Sequence, residues 1–181
     1  MEGKDSTRVD RRQQDALYEQ AVTELGTMIR RLSCGYEADR DRRRDLLQDI
    51  HLELWRSLGS FDGRCALRTW VYRVAHNVAA SHIVRERRTT GRLVNLEALD
   101  PEPVLVDEET QAEQRHAAQK LLALIHRLRP ADRQIILLYL EDESAAEIAE
   151  VTGLSPSNIA TKIHRIKKLL HQQYTEGKSH E

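Results

Sequence analysis

The chain has 181 residues with a net charge of −1, 31% charged and only 4% aromatic residues. Scarce aromatics, four prolines and a Leu/Ala/Arg/Glu/Gln bias argue against a β-sandwich and for helices. No apolar run reaches the roughly 18 residues of a membrane helix, residues 1–15 lack the apolar stretch of a signal peptide, and two isolated cysteines exclude a disulfide framework or zinc site. A soluble, cytoplasmic, mostly helical protein without membrane insertion is expected.

The charge is unevenly placed. Residues 1–92 hold 18 basic and 14 acidic side chains, residues 93–114 seven acids and no base, and residues 115–181 ten bases and eight acids. Base concentrates in residues 56–92 and in Lys162, Arg165, Lys167 and Lys168. Such clusters suit either a polyanion partner or a solvated helix face.

In chain order, Leu17, Ala21, Leu25, Met28 and Leu32 recur at helical spacing, and Gly35 is the expected stop. A second helix is expected over 41–58, with Leu47, Ile50, Leu54 and Leu58 inward. Two glycines in 59–63 predict a turn. A third helix follows to about Arg88, with Leu67, Val71, Val74 and Val78 inward. The acidic stretch 91–114 contains Pro101 and Pro103 and is expected to be a linker. Leu121, Leu122, Leu124, Ile125 and Leu128 predict a fourth helix. Pro130 suits the first turn of a fifth, carrying Ile135, Ile136, Leu138 and Leu140 inward. Ser144 and Glu147 have capping-box spacing before a short helix with Ile148, Ala149 and Val151. Gly153 fits a left-handed stop, and Ser155-Pro156 the start of a last helix with Ile159, Ile163, Ile166 and Leu170 inward.

Residues 144–172 therefore have the form of a helix-turn-helix. Ser157, Asn158, Thr161 and Lys162 suit base edges, and Arg165, Lys167 and Lys168 suit phosphate. An ordinary helical hairpin is the alternative. Residues 59–88 combine Phe61, Trp70, Tyr72 and Asn77 with arginines that include Arg68 and Arg73. Aromatic planes beside cations serve unpaired bases, while a core Trp70 with solvated arginines is the competing reading. The histidine pairs at 76/82 and 164/171 lack the i, i+4 spacing of a helical metal site, and no nucleophile–base pair or Gly-rich phosphate loop occurs. Neither metal, cofactor nor enzymatic activity is expected.

The stretch with Phe61, Leu67, Thr69, Trp70, Val71, Tyr72, Arg73, Val74, Ala75 and Asn77 closely resembles the second conserved region of the sigma-70 family, in its extracytoplasmic-function group. Asp45-Leu46-Leu47-Gln48 with Leu54-Trp55 resembles that group's polymerase-binding helix. Leu128-Arg129-Pro130-Ala131-Asp132-Arg133 and Glu147-Ile148-Ala149 resemble its fourth region, so the likeness spans roughly 12–175. His51 stands where a large aromatic is usual, Arg129 where leucine is commoner, and Asp142-Glu143-Ser144-Ala145 replaces Gly-Leu-Ser.

The resemblance implies an all-α RNA polymerase sigma factor of two small helical domains. Residues 12–90 would bind core polymerase and the minus-ten element, 91–114 would be an acidic linker, and 115–175 would bind the minus-35 element. Asp45, Gln48, Asp49, Leu52, Trp55 and Arg56 would meet the β′ clamp helices. Phe61, Arg68, Trp70, Tyr72, Arg73 and Asn77 would meet minus-ten DNA. Ser157, Asn158, Thr161, Lys162, Arg165 and Lys168 would meet minus-35 DNA. The linker acids would thread toward the RNA exit path. The β flap and an anti-sigma factor are the other expected partners. A conventional helix-turn-helix repressor or activator is the alternative.

Overall fold

A computed structural model describes the backbone of residues 10–90 and 108–178 and the side chains of 10–86 and 114–175. Among the described residues there are seven helices and no strand: α1 (Arg11–Tyr36), α2 (Arg40–Leu58), α3 (Leu67–Thr90), α4 (Glu108–Arg127), α5 (Pro130–Leu140), α6 (Ala145–Thr152) and α7 (Pro156–Lys178). Helices α1–α3 pack on one another, as do α4–α7. Helices α1 and α3 also meet α4, α5 and α6, so the two groups share one apolar core.

Local chemistry explains most helix ends. Asp10 caps α1 by accepting from the Gln13 amide, and Asp39 caps α2 by accepting from the amides of Asp41 and Arg42. Pro130 opens α5, where its missing N–H leaves no bond unmade. The Ser144–Glu147 capping box forms at α6, and Gly153 ends that helix at φ 75°. The Ser155 hydroxyl accepts from the Asn158 amide at the start of α7.

Four expectations need correction. Gly35 does not stop α1, which continues through Tyr36. Instead its missing side chain admits α5: a Cβ there would stand 2.5 Å from Leu137 Cδ2. On α2 the inward row is Leu46, Ile50, Leu54 and Leu58, all fully buried, with Leu47 at its edge. On α3 the buried residues are Thr69, Val71, Tyr72, Ala75, His76, Ala79, His82 and Ile83, while Leu67, Val74 and Val78 are only partly buried. The small Ala75 and Ala79 let neighbouring helices approach, so Val71 stays inward while Val74 and Val78 fall at the edge of the buried face. Leu140, expected inward, is 49% exposed because α5 ends there. In addition, α4 starts at Glu108, so 108–114 of the expected linker are helical. The linker residues Glu97, Asp100, Glu102 and Asp107 and the side chains of Glu108 and Glu109 lie outside the described residues.

Candidate nucleic-acid and polymerase interfaces

Three surfaces carry the residues singled out from the sequence. On α2, roughly 100° of rotation per residue puts Asp45, Gln48, Asp49, Leu52 and Arg56 within one arc opposite the buried row. Asp45, Gln48, Leu52 and Arg56 are exposed, and Asp49 is half-buried. Asp49 receives Arg85 at 2.8 Å, and Arg56 bonds Glu53 at 2.8 Å. Trp55 lies at the edge of this arc, turned toward α1: its Nε1 donates to Asp15 at 2.8 Å and Arg11 lies over its ring.

The second surface surrounds the turn between α2 and α3. Phe61 meets Trp70 edge-on with ring centroids 5.4 Å apart, and Trp70 Nε1 donates to Ser57 Oγ at 3.0 Å. Both rings are partly buried, whereas Arg73 and Asn77 are exposed. Trp70, Arg73 and Asn77 share one face at i, i+3 and i+7. Tyr72 does not join them. It lies about 200° around the helix from Trp70 and is 1% exposed, so it cannot flank an open base pocket in this form. Burial raises its phenol above the ordinary range.

The arginines of this surface are engaged by the second helical group. Arg68 Nε donates to Glu143 Oε1 at 2.6 Å, and its guanidinium lies over the Tyr72 ring. Arg73 donates to the Glu150 carbonyl through Nε at 3.0 Å. Arg31 on α1 bonds Glu141 at 2.7 Å. Glu143 is 6% exposed, and Asp142 before it has φ 61°. The sequence run that departs from Gly-Leu-Ser thus places a left-handed aspartate and a buried acid at the seam.

Buried polar groups that sequence reasoning missed tie the first bundle. Tyr36 Oη lies 2.9 Å from His76 Nδ1, and His82 Nε2 donates to Glu37 at 3.1 Å. Burial depresses His76 to about 3, so it is neutral. Burial opposes ionisation of Glu37, but bonds from His82 and the Asp39 amide outweigh it and lower its titration. Two histidines six apart on one helix signalled this arrangement only by their helical register. Among the described residues no three His, Cys, Asp or Glu side chains group as metal ligands.

The third surface is the outer face of α7. Ser157, Asn158, Thr161, Arg165 and Lys168 are exposed, while Ile159, Ile166 and Leu170 are buried and Ile163 partly so. Lys162 is different: it lies at the edge of the arc, and its side chain is only 24% exposed. Its Nζ sits 3.3 Å from Asp132 Oδ1, which Arg165 also reaches at 3.4 Å. The sequence showed Asp132 only as part of a motif, with no sign that it faces α7.

Two family models match the chain. The Sigma-70 region 2 model matches residues 21–89 and the Sigma-70, region 4 model residues 118–170. The RNA polymerase sigma-H factor of Pseudomonas aeruginosa is 32% identical over 142 residues, covering 76% of this chain and 67% of that protein. The ECF RNA polymerase sigma factor SigX of Bacillus subtilis is 25% identical over 139 residues, 74% of this chain and 71% of its own length. In fold, the chain is similar to the sigma factor RpoE solved in complex with the anti-sigma factor NepR from Bartonella quintana. That likeness has a TM-score of 0.68 at 16% identity and covers 87% of this chain and 96% of the other.

Proposed function

Since the chain belongs to the extracytoplasmic-function group of the sigma-70 family, we propose how its surfaces divide the work of directing core RNA polymerase to promoters. Residues 12–90 hold polymerase and the minus-ten element, and residues 115–175 read the minus-35 element. The outward arc of α2 (Asp45, Gln48, Asp49, Leu52 and Arg56, with Trp55 at its edge) docks on the β′ clamp helices. Asp45 and Asp49 give that arc a charge a basic groove would complement. The second helical group meets the β flap.

At the minus-ten element, Phe61, Trp70, Arg73 and Asn77 offer ring faces, a cation and an amide to unpaired bases and backbone. Arg68 joins them once Glu143 releases it. At the minus-35 element, Ser157, Asn158, Thr161 and Lys162 address base edges in the major groove, and Arg165 and Lys168 address phosphate. The protein is a regulatory subunit with no catalysis of its own, and it works in the cytoplasm with polymerase. An anti-sigma factor is its expected antagonist, the partner class named for the Bartonella structure.

The observation that carries this division is the α7 face: exposed, free of acids among residues 155–175, and set behind the left-handed Gly153 turn. Runoff transcription with core enzyme on a genomic library tests it. Discrete start sites sharing two spaced elements are expected. Duplex binding without core association would instead mark a conventional helix-turn-helix regulator.

A further inference from the structure

Resting on the reading of α7 as the minus-35 helix, we propose that Asp132 is the residue that sets its sequence discrimination. The carboxylate holds Lys162 and Arg165 in place and yields them only to DNA that offers better acceptors.

Asp132 belongs to α5, not to the recognition helix. Its side chain is 9% exposed, and both oxygens point at α7 and at the start of its own helix. Oδ2 receives Arg129 Nη2 at 2.8 Å and Nε at 3.2 Å. Oδ1 receives Lys162 Nζ at 3.3 Å, and Arg165 Nη2 lies 3.4 Å from each oxygen. Three cations thus converge on one carboxylate in the first turn of α5, where the helix dipole also favours a negative charge. Burial opposes its ionisation, and the bonds from Arg129 and Lys162 overcome this and hold its titration below the usual carboxylate range.

Lys162 and Arg165 are one turn apart and lean together onto this acid. Two consequences follow for DNA. First, the tether orders both side chains before DNA arrives, so their donors have a set direction. Second, an acid at the groove edge repels phosphate. A duplex that offers only backbone must approach the carboxylate and compete with it for the same two cations. A base edge with paired acceptors, such as guanine O6 and N7, supplies Lys162 with a bidentate replacement and releases Arg165 to the adjacent phosphate. Non-specific binding is therefore weakened more than specific binding. The exposed cations Arg165 and Lys168 alone would attract any duplex.

The test uses holoenzyme assembled from core polymerase and the full chain. Duplex promoters carry the minus-35 element preferred by the wild-type enzyme or scrambled versions of it, at low and moderate salt. Asp132→Asn keeps the size and one acceptor but removes the charge. It is expected to bind scrambled elements about three- to tenfold more tightly, with less than about twofold change on the preferred one, and to steepen the salt dependence by about one unit. The preferred-to-scrambled ratio thus falls. A ratio that stays at the wild-type value or rises overturns the proposal, including where only the melting temperature changes. Asp132→Glu decides the matter if the asparagine variant fails to fold. Its charge is kept but displaced by a methylene, so the salt slope should stay wild-type while the selected element shifts; an unshifted element overturns the proposal. Lys162→Ala and Arg165→Ala separate the levels. If neither alters discrimination or salt slope, the reading of α7 fails and the proposal with it. If either does while Asp132→Asn changes neither, only the role of Asp132 fails.

Discussion

His76 shows how a single buried side chain links packing to pH. Its ring is fully enclosed, hydrogen-bonded to Tyr36 and depressed to about 3. A base with a depressed folded value binds its proton in the unfolded state first. Its contribution to stability is whole above the unfolded value near 6.5 and falls as pH drops toward 3. His126 and His51 shift the same way through burial. Thermal melts should therefore lose stability between pH 6.5 and 4, at up to about 1.4 kcal/mol per pH unit per buried histidine. His76→Gln should flatten that limb, and an unchanged slope would count against His76 as its source. Phe61 is the other informative residue. Stacking on an unpaired base is worth roughly 1–3 kcal/mol, so Phe61→Ala should impair promoter opening more than duplex binding. Permanganate reactivity of promoter thymines measures this, with a premelted template as the rescue. Its edge-on packing against Trp70 makes Phe61 the safer target, since Trp70 also bonds Ser57.

Among the elements, α6 and the turn after it illustrate how backbone sets function. Gly153 adopts φ 75° with open space around its Cα, so Gly153→Ala meets strain and no clash. The expected loss is about 1 kcal/mol in a denaturant melt. It should also weaken minus-35 binding, because this turn sets the angle between α6 and α7. On α2, Asp45→Arg inverts a charge that is exposed and far from the buried row, so folding should be unaffected while affinity for core polymerase drops. Ile50→Ala, in the same helix but fully buried, should instead cost about 2–5 kcal/mol of stability. The pair separates an interface role from a packing role on one helix.

At the scale of the whole molecule, the two helical groups are locked by Gly35 against Leu137 and by Arg68 on Glu143. The second contact occupies an arginine proposed for minus-ten DNA, so on that proposal DNA would have to displace Glu143 from it. Glu143→Leu should change the melting temperature little, since the half-exposed Arg68 can return to water while leucine fills the buried place of the acid. The same variant should bind a short single-stranded minus-ten oligonucleotide more tightly in fluorescence anisotropy. Equal affinity would mean that Arg68 lies off the DNA path. Gly35→Gln provides a second route, since its side chain meets Leu137 and should force the groups apart. Small-angle scattering should then report a larger radius of gyration.

The amino-acid sequence by itself determined the all-α class, the chain order of the elements, the Ser144 and Gly153 signals of the helix-turn-helix, and the outward faces of α2 and α7. These depend on periodicity and local backbone chemistry, which act over a few residues. Tertiary structure alone decided that Gly35 sits inside a helix against Leu137 and that α3 buries Tyr72, His76 and His82 more deeply than Val74 and Val78. It alone placed Glu143 on Arg68 and Asp132 on Lys162. Each of these pairs residues 30 or more positions apart, or selects one of two plausible helix faces. Periodicity says that a face is buried, but which face and against what is settled by the shape and charge of the partner helix.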